Sequence, residues 1–247
     1  MKKSFLFIIA FMSLVLSGCF AQQDEDTWIV GTSADNPPYE FMQDGEIVGF
    51  DIDLITEIGK HLGKKVEFKN MEFHSLLAAI SSKNVDLVLA GLSITKERIA
   101  RVDFSIPYAS ATIAVLYRRE DGFKKHQDLE NKNVGAQLGT IWSLIAHDLA
   151  AKSQFRFKAL SSNLMLVEEL KTKRIDAIIM ESFQANKFAE ANPSFAKFNL
   201  EEFSSSFSIA MPKNSPLKKN IDYTIKALRS NGTIHALSRK WGLVSAD

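Results

Sequence analysis

Val85-Asp86-Leu87-Val88-Leu89-Ala90 and Ile175-Asp176-Ala177-Ile178-Ile179-Met180 are the two stretches whose reading decides the fold. Each is a nearly continuous apolar run marked by one acid, the pattern of a strand covered on both faces rather than one half open to water. Each follows a helix-period segment and a turn rich in lysine, Ser82-Lys83-Asn84 in the first case and Lys171-Thr172-Lys173-Arg174 in the second. Outward from the first, residues 28–32 and 66–68 read as strands. Between them a helix opens near Asp51, with Leu54, Ile55, Ile58 and Leu62 on one face and Gly63 as its stop. A second helix turns Leu76, Leu77 and Ile80 inward. Strand, helix, strand, helix, strand predicts a parallel sheet covered by helices.

The unit then recurs. Residues 133–136 form a strand, 141–151 a helix, and Asn163 caps a further helix carrying Leu164, Val167 and Leu170 inward. Two such units in one chain predict two α/β lobes, with segments 114–117 and 207–211 as the crossovers. The stretch 217–241, broken at Asn231-Gly232, returns as helix to the first lobe. The expected division is 27–115 with 208–247 for lobe one and 116–207 for lobe two. Open α/β sheets bind ligands beyond the carboxyl ends of their strands, so two facing lobes make a cleft that can close.

Charge and composition exclude several classes. The 247-residue chain is near neutrality and has no basic stripe, which argues against nucleic acid as a partner. Its histidines, His61, His74, His126, His147 and His235, lack metal-ligand spacing, so no metal or cofactor is expected. The N-terminus carries Lys2 and Lys3 and then an apolar run from Phe5 to Leu16, short for a membrane span but suited to a signal peptide over 1–18. Leu16-Ser17-Gly18-Cys19 ends that run, and Cys19 is the single cysteine of the chain. This segment resembles the lipobox of bacterial lipoproteins. It implies cleavage before Cys19, a lipid on its thiol and a tether over 19–26, placing the protein on the periplasmic face of a bacterial membrane.

Four segments follow strand ends, where a cleft would lie. Pro37-Pro38-Tyr39-Glu40-Phe41 is a stiffened loop that presents Asn36 or Glu40, with Tyr39 and Phe41 read as core. In Gly91-Leu92-Ser93-Ile94-Thr95-Lys96-Glu97-Arg98, Gly91 admits close backbone approach, Ser93 offers a hydroxyl, and Thr95 caps a short helix carrying Arg98. Amides, hydroxyl and guanidinium together predict an anion site, and arginine's planar fork suits a carboxylate. Gly139-Thr140-Ile141 exposes amides at a strand-to-helix turn, and Glu181 follows the second buried strand as a candidate partner for an ammonium group.

With Gly49-Phe50-Asp51-Ile52-Asp53-Leu54, Asp103-Phe104-Ser105-Ile106-Pro107-Tyr108 and the closing Lys240-Trp241-Gly242-Leu243, these segments resemble the amino-acid-binding family of periplasmic solute-binding proteins. The resemblance covers essentially the whole mature chain. It implies an α/β, two-lobed periplasmic-binding-protein fold with a ligand cleft between lobes and two crossover strands. It further implies a monomer that passes a free amino acid to an ABC transporter permease and ATPase complex rather than an enzyme. By the same resemblance, Arg98 holds the α-carboxylate with help from Ser93 and from backbone around Gly91, Thr140 and Ile141. Glu181 takes the α-ammonium and Phe73 stacks on the side chain. Where some members that bind cationic amino acids place an acid, this chain has Ser33, and Asn36 stands where an aromatic clamp is common. The ligand expected from Glu40 and Phe73 is arginine or another basic amino acid, with glutamine or another polar amino acid as the alternative and a dehydratase-like activity on the same fold as a further one.

Overall fold

The computed structural model describes residues 26–243. Signal peptide, Cys19 and nearly all of the tether lie outside these residues. In chain order the first part is β1 (Thr27–Thr32), a meander of β2 (Asp35–Asn36), β3 (Glu40–Gln43) and β4 (Glu46–Val48), α1 (Phe50–His61), β5 (Lys65–Asn70), α2 (Leu76–Ser81), β6 (Leu87–Val88), α3 (Lys96–Ile99) and β7 (Val102–Phe104). The second part is β8 (Ala109–Arg118), β9 (Asn133–Gln137), α4 (Ile141–Ser153), β10 (Arg156–Leu160), α5 (Asn163–Lys171), β11 (Ala177–Glu181), α6 (Ser182–Ala191) and β12 (Phe195–Phe207). The chain then returns through β13 (Ala210–Pro212), α7 (Leu217–Ser230) and α8 (Thr233–Lys240).

Two five-stranded sheets result, ordered β5-β1-β6-β13-β7 and β10-β9-β11-β8-β12, with the meander as a third, small sheet. In each, the first strand of the unit lies parallel between the two that follow it. The acids that mark the two deciding stretches do the same work in both lobes. Asp86 Oδ2 accepts the Ile29 N–H and Asp176 Oδ2 accepts the Asn133 N–H, each at 2.8 Å, pinning the start of the central strand. The turns before them hold Lys83 and Lys173 at φ 58° and 61°. Equivalent bonds at equivalent places make the second lobe a structural echo of the first.

The crossovers are longer than the sequence indicates. β8 and β12 pair antiparallel from Arg118↔Phe195 to Ala109↔Phe207, with a register irregularity between Leu200 and Ser204. The whole of β8 belongs to the second sheet, so the expected limit at 115/116 cuts a strand, and the chain passes between sheets just before Ala109 and just after Phe207. Helix α5 is capped by Ser162, whose Oγ accepts from the Leu164 N–H; Asn163 is the first helical residue instead of the cap. One apolar core spans both lobes, with Tyr39, Phe50, Tyr108, Trp142 and Phe207 buried in it. The Phe207 ring meets Tyr39 edge-on at 5.1 Å and Trp142 at 6.3 Å, joining lobe one, crossover and lobe two. Asp53 Oδ2 accepts from Trp241 Nε1 and Lys240 Nζ, both at 2.7 Å, which fastens the returning segment to α1. Among the described residues no helix is long and apolar enough to cross a membrane.

Candidate functional site

The carboxyl ends of β1, β6, β9 and β11 converge between the lobes. Beside them, past the ends of β1, β5 and β10, a cavity of about 350 Å³ is lined from lobe one by Ser33, Asp35, Asn70 and Glu72 and from lobe two by Ser161 and Ser162, among others; neither Arg98 nor Glu181 lines it. That volume is in the range of small-ligand sites, about 300–1,000 Å³. Two larger depressions, around Arg118 and Phe195 and along Ser215 to Lys226, each lie on one lobe and away from these strand ends.

Arg98 leaves the short helix α3, whose first turn is held by Thr95 Oγ1 accepting from the Arg98 N–H. Arg98 as a whole is only 8% exposed. Its Nη1 donates to the Ser93 carbonyl at 2.6 Å, and its Nη2 crosses to the Gly139 carbonyl of lobe two at 2.8 Å. Phe73 supports it from below, the ring centroid 5.6 Å from the guanidinium carbon. Burial lowers its pKa to about 10, still cationic at neutral pH. Among the described residues no carboxylate lies within ion-pair distance of it. A buried cation whose partners are two carbonyls, with N–H groups to spare, can receive an anion.

Glu181 ends β11 on lobe two. It caps α6, Oε2 accepting from the Gln184 N–H at 2.9 Å. Its Oε1 is buried without a donor. Burial raises its pKa to about 7 against the lowering effect of the helix amides and of Lys197. Its charge also acts on the Tyr39 hydroxyl of lobe one, placing it at the interface. A second buried ionisable group with an unused oxygen, opposite in sign to Arg98 and on the other lobe, suits a cationic group of a ligand.

The remaining predicted residues divide. Ser33 lines the cavity, and Ser93 is buried beside Arg98. Thr140 caps α4: its hydroxyl accepts from the Ser143 N–H and donates to the Gln137 carbonyl, so Thr140 and Ile141 contribute the start of a helix rather than a free hydroxyl. Gly139, at φ 83°, is needed because a Cβ there would sit 3.0 Å from the His74 Cβ across the interface.

Glu40 is corrected. It is fully buried, with Oε1 accepting from Asn36 Nδ2 at 2.9 Å. Its other oxygen faces the Asp51 carboxyl, and burial together with the Asp51 charge raises Glu40 well above the usual carboxylate range. Asp51 is itself raised to about 6 by burial, its Oδ2 accepting from the Gly91 N–H at 2.9 Å and the Tyr108 hydroxyl at 2.7 Å. Two buried carboxyls each with one oxygen lacking a donor are satisfied by a shared proton. Glu40 and the Gly91 amide are therefore spent on Asn36 and Asp51, an internal brace, while Asn36 stays half-buried with its Oδ1 outside that brace.

Sequence reasoning missed Asp35, Gln137, Asn163 and Gln184 as site residues, although they join Arg98 and Gly139 in the polar contacts between lobes. Asp35 Oδ2 accepts from the Asn163 N–H at 2.7 Å, and the Asp35 carbonyl accepts from Gln184 Nε2 at 3.3 Å. The signal present in the sequence was a carboxylate two residues after Ser33 at the first strand end. Among the described residues no group of three or more His, Cys, Asp or Glu is placed to hold a metal ion.

The model for bacterial extracellular solute-binding proteins, family 3, matches residues 28–244. The arginine-binding extracellular protein ArtP of Bacillus subtilis is 33% identical over 98% of both chains. Two solved structures are similar throughout: an ancestral arginine-binding protein bound to arginine (34% identity, TM-score 0.84) and an ancestral arginine-binding protein bound to glutamine (36%, 0.83). Each comparison covers 89% of this chain and 99% of the other.

Proposed function

The chain belongs to family 3 of the bacterial extracellular solute-binding proteins, and from that membership we propose that it captures a free amino acid between its lobes for an ABC importer. The observation that carries this reading is the pairing of buried Arg98, which has no carboxylate of its own, with buried Glu181, whose Oε1 has no donor. A zwitterion supplies both partners at once, and its two ends draw the lobes together.

Arginine or another basic amino acid is the favoured ligand. Support comes from the cavity lining, where Glu72 contributes negative charge and no lysine or arginine stands among the lining residues, and from the likeness to ArtP. The similar structure that holds glutamine keeps a polar amino acid as the second reading. Isothermal calorimetry on the purified protein with each standard amino acid decides between them. Arginine should bind most tightly; tight glutamine binding with no arginine heat would reject the basic ligand and leave the zwitterion site standing.

The same reading places the protein on the outer face of the cytoplasmic membrane or beyond, held by lipid on Cys19 after the Leu16-Ser17-Gly18 cleavage site. Cys19→Ala should move the protein from membrane to soluble fractions. Unchanged fractionation with an unmodified thiol would remove the anchor from the proposal.

A further inference from the structure

Asp35 stands on lobe one, in β2, yet its side-chain bonds reach lobe two. Its Oδ2 accepts from the Asn163 N–H at 2.7 Å and its Oδ1 from Asn163 Nδ2 at 3.3 Å. Gln137 Nε2 lies 3.2 and 3.3 Å from the two oxygens. From a third element, α6, Gln184 Nε2 donates to the Asp35 carbonyl. The end of β9 and the starts of α5 and α6 therefore converge on a single residue of the other lobe.

The donors are themselves fixed. Asn163 Nδ2 also donates to Gln137 Oε1 at 2.9 Å, and Gln137 Nε2 to the Ser161 carbonyl at 3.2 Å. Asn163 opens a nine-residue helix, so its N–H is one of those the helix leaves unpaired, at the positive end of the dipole. Every donor is neutral while the acceptor is a carboxylate, so the bonds are charge-assisted without an opposing charge to desolvate, and the one from the Asn163 N–H, at 2.7 Å, is short. Burial raises the Asp35 pKa, and the bonds to Asn163, Ser162 and Gln137 work against that rise. When the lobes part, all of these bonds are broken together. Among the described residues Arg98 to Gly139 is the other side-chain tie across the cleft, and the proposed function commits Arg98 to the ligand.

We propose that Asp35 is a latch: a positioning residue that sets how long the lobes stay together, and so the rate of ligand release, without touching the ligand. The inference rests on the proposed function for what is captured, and it makes a distinct demand. A latch acts equally on every amino acid that closes the cleft, whereas an acid that reads the ligand acts on cationic ones alone.

The test uses the mature-length protein and four variants, Asp35→Ala, Asp35→Asn, Asn163→Ala and the Asp35→Ala/Asn163→Ala pair. Release of arginine and of glutamine is followed by stopped-flow fluorescence, and lobe separation by a spin-label pair with one label on each lobe. Loss of hydrogen bonds to a charged group predicts release roughly ten- to a hundredfold faster in Asp35→Ala, by the same factor for both amino acids, with association changed by less than about threefold. Asp35→Asn, which keeps the shape and one acceptor but no charge, should fall between. The double variant should be no faster than Asp35→Ala, because the Nδ2 bond that Asn163→Ala removes is already lost there, while the main-chain N–H of residue 163 remains in both. Unchanged release, a loss confined to arginine, or additive effects in the double variant would each overturn the latch. Should no amino acid bind the unaltered protein, the proposed function fails instead; the label distances still decide the latch, since Asp35→Ala must then shift the separation outward.

Discussion

Arg98→Ala is expected to weaken binding of any α-amino acid by about 2–5 kcal/mol, or roughly thirtyfold to several thousandfold, because truncating one member of a buried, hydrogen-bonded charge pair leaves the other unpaired. Two losses combine. The ligand carboxylate, held by Arg98 in the proposed site, loses its counter-charge, and the tie from Nη2 to the Gly139 carbonyl across the cleft goes with it. The effect should be common to all ligands, unlike a change in side-chain specificity. Arg98→Lys separates the contributions: it keeps a charge but not the planar fork that bonds Ser93 and Gly139 at once, so it should recover only part of the affinity. The fold should persist in both variants, since α3 is capped by Thr95 through the Arg98 main chain and needs no side chain at that position. Calorimetry gives the affinities and a thermal scan the fold control. Undiminished binding by Arg98→Ala would place the carboxylate elsewhere.

The fold was legible wherever pattern and burial coincide. The two apolar runs beginning at Val85 and Ile175 became central strands, and Asp86 and Asp176 revealed themselves as equivalent pins once the sheets were paired. α1 and the broken C-terminal helix stood where periodicity put them. The crossovers were less legible, because β8 and β12 pair over a length and through an irregular register that no one-dimensional pattern carries.

At the site, legibility followed the range of the interaction. Arg98 was found because its cap, its helix and its neighbours are local in sequence. Glu40 was misread for the opposite reason: its sequence context, a carboxylate on a proline-stiffened loop, gives no sign of Asp51 lying against it or of Gly91 and Tyr108 completing the brace. Asp35 was passed over because its partners stand 102, 128 and 149 residues away. Contacts made only when two lobes meet leave no periodicity in either.

Amino-acid affinity is expected to fall steeply as pH drops below about 7, through Glu181. In the free protein this carboxyl, buried at the start of α6, has its pKa raised to about 7. An ammonium group requires the ionised form, so below that value a proton must leave before the ligand can be held. The affinity should therefore decline by up to about tenfold per pH unit, roughly thirtyfold between pH 7.5 and 5.5, with a proton released on binding across that window. The unliganded protein responds with the opposite sign. A carboxyl with a native pKa above its ordinary value of 4.5 contributes stability that is fully present below 4.5 and is lost as pH rises through about 7. The ligand-induced rise in melting temperature should consequently grow with pH over the range in which this group's own contribution shrinks. Glu40 and Asp51 are also raised by burial, but they keep the same internal partners with or without a ligand and should cancel from the binding equilibrium. Glu181→Gln isolates the effect: it should bind weakly at pH 7.5 and show a nearly flat profile. Calorimetry at pH 5.5 and 7.5, in buffers of differing ionisation enthalpy, counts the proton directly. An affinity that stays level over that interval with no proton released would show that Glu181 does not hold the ammonium group.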